Sequence, residues 1–409
     1  TVTNCYYDCS WTYGYGGTSS DDDSATKLMS TDDMQEPSFA LTLYNNAYSY
    51  NLNNSTAPQA CAWKVGDNGY PALAYNTTPT NLLFSGGEGT KDYPYLISTS
   101  DDLRELSTIV NLGLKDFSEQ YLEMTADIDL EGYNMANEFT AIGSTATPFK
   151  GNFNGNGHSI SDIYILAIPM ALDTGEGNYQ GLFGYISGAT ITDVHMVGGY
   201  ISGYSYVGAV VGQAYYSSVT NCSSSTSVFG TVAVASGQES RAAHVGGVVG
   251  QAYNSTVSGC CYTGNEVSGY EKTGGVVGSA ISGSTITNCY NRANYVTSTQ
   301  NAGGVVGYLL ESYLYNSYSA TNDISSGLYI GGVAGSISSS TVHNCYFDIT
   351  LLPNWAAVSH FDTSGTSISN ATGWSTENMT DGKFAEILGG SWKEDTGGIN
   401  DGYPILTWQ

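Results

Sequence analysis

The sequence predicts an all-β solenoid, and three observations carry the prediction. A glycine-rich motif recurs as GLFG, GAVVG, GGVVG, GGVVG, GGVVG and GGVAG, closing on Gly184, Gly212, Gly250, Gly278, Gly307 and Gly335. The gaps are 28, 38, 28, 29 and 28 residues, and fixed self-similarity at such a period marks stacked structural repeats. A second register follows each motif: SISDIYI (159–165), TITDVHM (190–196), SVTNCSS (218–224), TVSGCCY (256–262), TITNCYN (285–291), YLYNSYS (313–319) and TVHNCYF (341–347). Finally, 51 Gly and 33 Tyr beside only 12% charged residues describe strands joined by many turns, and the aromatic content argues against disorder.

Each slot of the second register has a physical assignment. Asp162, Asp193, Asn221, Gly259, Asn288, Asn316 and Asn344 share a tolerance of positive φ, so one turn geometry is expected in every copy. The next slot holds Ile163, Val194, Cys222, Cys260, Cys289, Ser317 and Cys345. It is expected to point inward, with Cys222, Cys260, Cys289 and Cys345 as a structural stack of reduced thiols. Strand alternation then turns the following slot outward: Tyr164, His195, Ser223, Cys261, Tyr290, Tyr318 and Tyr346. Tyr164, His195, Tyr290, Tyr318 and Tyr346 form the candidate ligand-binding ladder, since tyrosine offers a flat apolar face and a hydroxyl. Cys261, in the outward slot, is the thiol expected to react.

In chain order, residues 1–80 read as the end of a preceding module. TVTNCYYD (1–8) resembles TVHNCYFD (341–348), and Thr31, Met34, Phe39, Ala40 and Trp63 match Thr376, Met379, Phe384, Ala385 and Trp392. DNGYPAL (67–73) likewise matches NDGYPIL (400–406). The match predicts a period of about 340 residues, with 81–409 as one whole module. Cys9 and Cys61 are both missing from the second copy, so a Cys9–Cys61 disulfide and an oxidising, extracellular setting are expected. SDDLRELSTIVNLG (100–113) predicts a helix over 100–112. Thr99 or Ser100 caps it, Leu103, Leu106, Ile109 or Val110 form its apolar face, and Gly113 ends it. It is expected to plug the N-terminal end of coils running from about 121 to 348. The one long spacing places an insertion, loop or hairpin, at 228–245. Residues 372–409 form the tail.

The GLFG/GGVVG repeat followed by TxxNCY resembles the glycine-rich GLUG repeat of prokaryotic, adhesin-like surface proteins. The FKGNFNGNGHSISDIYI run (149–165) is similar to the opening of their β-helix domains, and the W…NGYPxL tails resemble their module ends. The resemblance implies a right-handed parallel β-helix on the cell surface and leaves the function open.

Charge and motifs bound that function. A net charge of −26 repels nucleic acid and anionic membranes and permits weak Ca²⁺ binding at most. No run of residues is apolar enough to insert in a membrane. No CxxC or HExxH spacing exists, so neither a metal site nor a cofactor is expected. Asp127 and Asp129 could share a strand face as a glycosidase pair does, but they read as solvated strand acids, and the run Asp21–Asp22–Asp23 reads as a solvated loop rather than a Ca²⁺ site. None of His158, His195, His244, His343 or His360 has a nucleophile and acid at a recognisable spacing, and no catalytic residue is assigned. The expectation is a non-enzymatic extracellular structural or adhesive module of a stalk or repeat array. Its partner would be a glycan or surface protein of another cell, or further copies of itself. The alternatives are a filament subunit assembling head to tail by strand addition, and a carbohydrate-active β-helix.

Overall fold

The computed structural model describes residues 84–132, 138–166, 178–231 and 244–409, together with the short segments 5–8, 26–29, 62–65, 71–74, 233–235 and 238–240 and the single positions 34, 39 and 43. Cα packing divides the chain into two units, 1–96 and 97–409.

Residues 97–409 form a parallel β-solenoid of about nine turns. The coil beginning at Val277 shows the plan: Val277–Ile281, Thr285–Thr287, Tyr290–Asn291, Tyr295–Thr297 and Asn301–Gly303. Each strand pairs in parallel with its equivalent one coil on, Val277 opposite Val306, Ile286 opposite Leu314 and Val296 opposite Ile324. The result is three faces, of 16, 12 and six strands among the described residues. One interior row is wholly apolar: Ile191, Val219, Val257, Ile286, Leu314 and Val342 are in register and fully buried.

The expected turn is present in six of the seven copies: Asp193, Asn221, Gly259, Asn288, Asn316 and Asn344 have positive φ, between 46° and 63°, while Asp162, at 54°, stands at another corner of the coil. Inside that turn the four thiols Cys222, Cys260, Cys289 and Cys345 are free and buried. Each donates to the carbonyl two residues back, at 3.2–3.4 Å, and Ser317 Oγ does the same at 2.7 Å. Cys and Ser therefore exchange at this slot because both are small and both donate across the turn.

The glycine pairs have a different cause. A Cβ on Gly275 would lie 2.2 Å from Asn291 Nδ2 and 2.3 Å from the Gly304 carbonyl, and one on Gly247 would lie 2.4 Å from the Tyr262 ring. The second glycine of each pair lies against the residue after the outward slot, with no room for a side chain.

One register expectation is corrected. Ile160 pairs with Met196, while Ile191 pairs with Phe153. The spacing of SISDIYI belongs to the next turn of the coil. Tyr164 therefore lies opposite Tyr200 on the six-stranded face, away from His195 and the later tyrosines.

The helix α1, Ser100–Asn111, closes the N-terminal end. Thr99 caps it, with a reciprocal bond to Asp102. Leu103, Leu106, Ile109 and Val110 are buried, and Gly113 has φ 68°. Its polar side chains engage the first turn. Ser107 Oγ donates to the Thr140 carbonyl at 2.7 Å, and Asn111 donates to the Ala141 carbonyl at 2.9 Å while accepting from Gly143 N–H at 2.8 Å. These backbone groups have no previous coil to bond, which is the end problem of any solenoid. The insertion is a hairpin, Ala233–Ala235 antiparallel to Gln238–Ser240.

Candidate functional site

The expected ladder starts from side chains that do turn outward on the 16-stranded face. His195, Ser223, Cys261, Tyr290, Tyr318 and Tyr346 are in one register. Solvent, however, does not reach its lower half. The C-terminal segment folds back along the face through two short helices, α2 (Thr376–Met379) and α3 (Lys383–Leu388), and the antiparallel pair Trp392–Lys393 and Ile405–Leu406. Met379, Phe384, Leu388, Trp392, Tyr403 and Leu406 form one buried cluster with Cys261, Tyr290, Tyr318 and Tyr346. Tyr318 stacks with Tyr290 at 5.2 Å, and Phe384 meets the edges of Tyr318 and Tyr346 at 5.7 and 5.2 Å.

Polar contacts fix this clasp. Tyr318 O–H donates to the Pro404 carbonyl at 2.6 Å, and Asn400 Nδ2 donates to Tyr318 Oη at 2.8 Å. Arg292 donates to the Asn400 carbonyl and to Asp401, both at 2.7 Å, with its guanidinium 4.6 Å from the Tyr403 ring. Asp348, fully buried, accepts from Tyr403 O–H at 2.5 Å, Thr376 Oγ1 at 2.6 Å and Thr350 N–H at 2.7 Å. Burial first, and Asp348 second, push the Tyr403 hydroxyl well above its ordinary value. At the upper end Trp408 stacks on His195 at 5.0 Å and donates Nε1–H to the Gly259 carbonyl at 3.0 Å. Burial holds the His195 imidazole below its ordinary value, opposed by Asp193.

The exposed ladder is thus corrected. Tyr290, Tyr318 and Tyr346 are buried beneath their own tail, His195 lies under Trp408, and Tyr164 is on another face, stacked on Tyr200 at 5.9 Å. Cys261 is likewise not a reactive surface thiol. It is buried, and burial pushes it up to about 12. Cys9, Cys61 and Asp21–Asp23 lie outside the described residues.

A different aromatic surface is partly exposed. On the 12-stranded face Tyr179 and Tyr206 stack at 4.7 Å, and Tyr179 meets Tyr185 edge-on at 5.5 Å. Tyr185, Tyr215 and Tyr253 then follow one another down successive coils at 6.2 and 5.0 Å, with Tyr216, 54% exposed, beside them. The signal was in the sequence: VGQAY occurs at 211–215 and again at 249–253, with Tyr last. Next to this surface His244 stacks on Tyr206 at 4.7 Å and shares a hydrogen bond with Ser279 at 2.6 Å. Burial, then Lys272, push His244 down to about 3.

The acidic candidates are engaged locally. Asp127 accepts from Ser159 N–H at 2.8 Å and pairs with His158 at 3.3 Å, and Asp129 accepts from Glu131 N–H at 2.8 Å. Among the described residues no three His, Cys, Asp or Glu side chains are grouped to hold a metal ion, and no helix is long and apolar enough to cross a membrane.

Comparison with known proteins agrees with this architecture. The GLUG motif matches residues 203–228. The chain is 34% identical over 137 residues to a candidate Gly-rich membrane protein of Evansella cellulosilytica, covering 32% of this chain and 15% of that protein. It is 34% identical over 128 residues to halomucin of Haloquadratum walsbyi, covering 31% of this chain and 1% of that protein. The chain therefore spans a small part of either relative. A crystal structure of a candidate immunoglobulin A1 protease from Bacteroides ovatus superposes with a TM-score of 0.59 over 80% of this chain and 96% of that one, at 22% identity. At that identity the likeness is one of fold. The expected similarity to glycine-rich GLUG-repeat proteins is borne out.

Proposed function

We propose that this GLUG-repeat β-helix is a non-enzymatic, extracellular module of a cell-surface protein, giving length and stiffness and presenting an adhesive face. The observation that carries the reading is the tyrosine surface of Tyr179, Tyr185, Tyr206, Tyr215 and Tyr253, mounted on a parallel ladder closed at one end by α1 and braced along one side by its own tail. About nine coils at ~4.8 Å each make a rod of ~40 Å. Rigid, uncharged aromatic rings with hydroxyls suit sugar rings or a protein partner, and the relatives named as a Gly-rich membrane protein and as halomucin support a surface setting. The test is binding to a panel of neutral glycans and to whole cells, comparing the native chain with a Tyr185→Ser, Tyr215→Ser, Tyr253→Ser variant. The expected result is binding by the native chain and its loss in the variant at unchanged melting temperature. Equal binding by both removes the adhesive face, and turnover of any glycan ends the non-enzymatic reading.

One observation favours a head-to-tail filament as a second reading. The last coil's strands, Ala356–Phe361 and Ser367–Trp374, pair on one side only among the described residues, and Phe361 and Ile368 are exposed there. Such an edge accepts an added strand. Electron microscopy over a range of concentrations separates fibres from single rods.

A further inference from the structure

The chain carries the parts of the tail clasp twice. In 97–409, Thr341–Asp348 runs parallel to Ser367–Trp374 with Asp348 opposite Trp374, and Trp392 lies opposite Leu406 in an antiparallel pair. In 1–96, Cys5–Asp8 runs parallel to Thr26–Met29 with Asp8 opposite Met29, and Trp63 lies opposite Leu73 in an antiparallel pair. The two units share the same pairing at the same register. From the residue opposite the aspartate, the sequence then keeps step: Thr31, Met34, Phe39, Ala40 and Leu43 stand where the tail has Thr376, Met379, Phe384, Ala385 and Leu388. Positions 34, 39 and 43 are helical, as are their counterparts, and Phe39 is buried.

In the tail each of those residues is tied to the stripe it covers. Met379, Phe384, Ala385 and Leu388 pack on Tyr290, Tyr318 and Tyr346, and Thr376 and Tyr403 bond Asp348. Asp8, Thr31 and Tyr70 repeat that last set in the sequence. A set of residues shaped by one stripe implies a like stripe for its repeat. The stripe of 97–409 is already covered by its own tail, which a local effective concentration in the millimolar range favours over any separate molecule. We propose that Cys5–Asp8, Thr26–Met29, Ala62–Val65 and Pro71–Ala74, with Met34, Phe39 and Leu43, belong to a second clasp, whose partner is a coil stack of the kind formed by 97–340, from another copy, ending where Cys5–Asp8 can add to it as Thr341–Asp348 adds to Tyr313–Ser319.

The test places a second copy of residues 97–340 directly ahead of Thr1 in the full chain. Hydrogen exchange is followed in Ala62–Val65 and Pro71–Ala74, whose sequence is unique. The expected result is exchange slowed ~10-fold or more relative to the chain alone, as local opening becomes costlier. Unchanged exchange, or a fusion that aggregates, overturns the proposal. A chimera gives an independent reading. With 375–406 replaced by residues 30–73, Cys261 should resist a maleimide pulse to the same degree as in the native chain measured alongside, and faster labelling of Cys261 in a folded chimera, or failure to fold, also overturns it.

Discussion

Truncating Phe384 to alanine tests whether the tail is a clasp that opens by itself. The side chain is fully buried and touches three aromatic rings, Tyr318, Tyr346 and Trp374, at 5.2–5.7 Å. The rings it packs on are two outward tyrosines of the face and Trp374, while the stack of coils is held by its own strand ladders. Removing a buried Phe side chain costs ~3–5 kcal/mol. If that loss falls on the clasp alone, the open fraction rises ~100-fold or more, at a factor of ten per ~1.4 kcal/mol. The reporter is Cys261, which lies under the tail with Gln409 Nε2 at 3.7 Å from its sulfur. Burial raises its thiol to about 12, so alkylation requires opening first.

The assay is a timed maleimide pulse with peptide mapping. Cys260 and Cys289 are the controls, since both are fully buried in the interior, in the same coil and the next. Phe384→Ala should accelerate Cys261 by about two orders of magnitude and leave Cys260 and Cys289 at the native rate. Equal acceleration of all three refutes the reasoning, because tail and stack then open as one unit. A native Cys261 that labels like a free thiol refutes the burial itself.

Gly275→Ala should lower stability by at least ~1–3 kcal/mol in urea melts, since the new Cβ meets Asn291 and the Gly304 backbone at 2.2–2.3 Å; an unchanged midpoint would show that the coil corner can widen. Asn111→Ala strips the Ala141 carbonyl and Gly143 N–H of their partner, costing ~1–3 kcal/mol, and hydrogen exchange should speed up at 139–143 and not in the later coils. His244 is held down to about 3 by burial, so protonation favours the unfolded chain, whose imidazole takes its proton near 6.5. Its contribution is whole above pH 6.5 and is lost as pH falls from 6.5 toward 3. His244→Gln should flatten the stability profile in that window, and a parallel slope in both proteins would count against the assignment.

The difference between what was legible and what was not follows the range of the interactions. The turn at Asn221, Asn288 and Asn344 is a local matter of φ, and the repeat wrote it out plainly. The cap helix was legible for the same reason, because Thr99, Asp102 and Gly113 act within one or two helical turns. The inward direction of Cys222, Cys260 and Cys289 needed only strand alternation. The covering of Tyr290 and Tyr318 depends on residues such as Pro404 and Gln409, 86 and 119 positions away in sequence, and no periodic pattern encodes that pairing. Alternation says which way a side chain points and leaves open what meets it there.

The misplaced Tyr164 has a local cause as well. Asp162 has the same positive φ as Asp193 but belongs to a different corner of the coil, so matching by residue type joined two unlike turns. The tail itself held a usable clue. Met379, Phe384, Leu388 and Trp392 make an apolar set too large for two helices of four and six residues to bury alone, which requires a second surface. In this chain the outward tyrosines are that surface. A repeat protein with a tyrosine stripe and an amphipathic tail is therefore better read as closed on itself, and the search for a ligand face belongs on the tyrosines of another sheet.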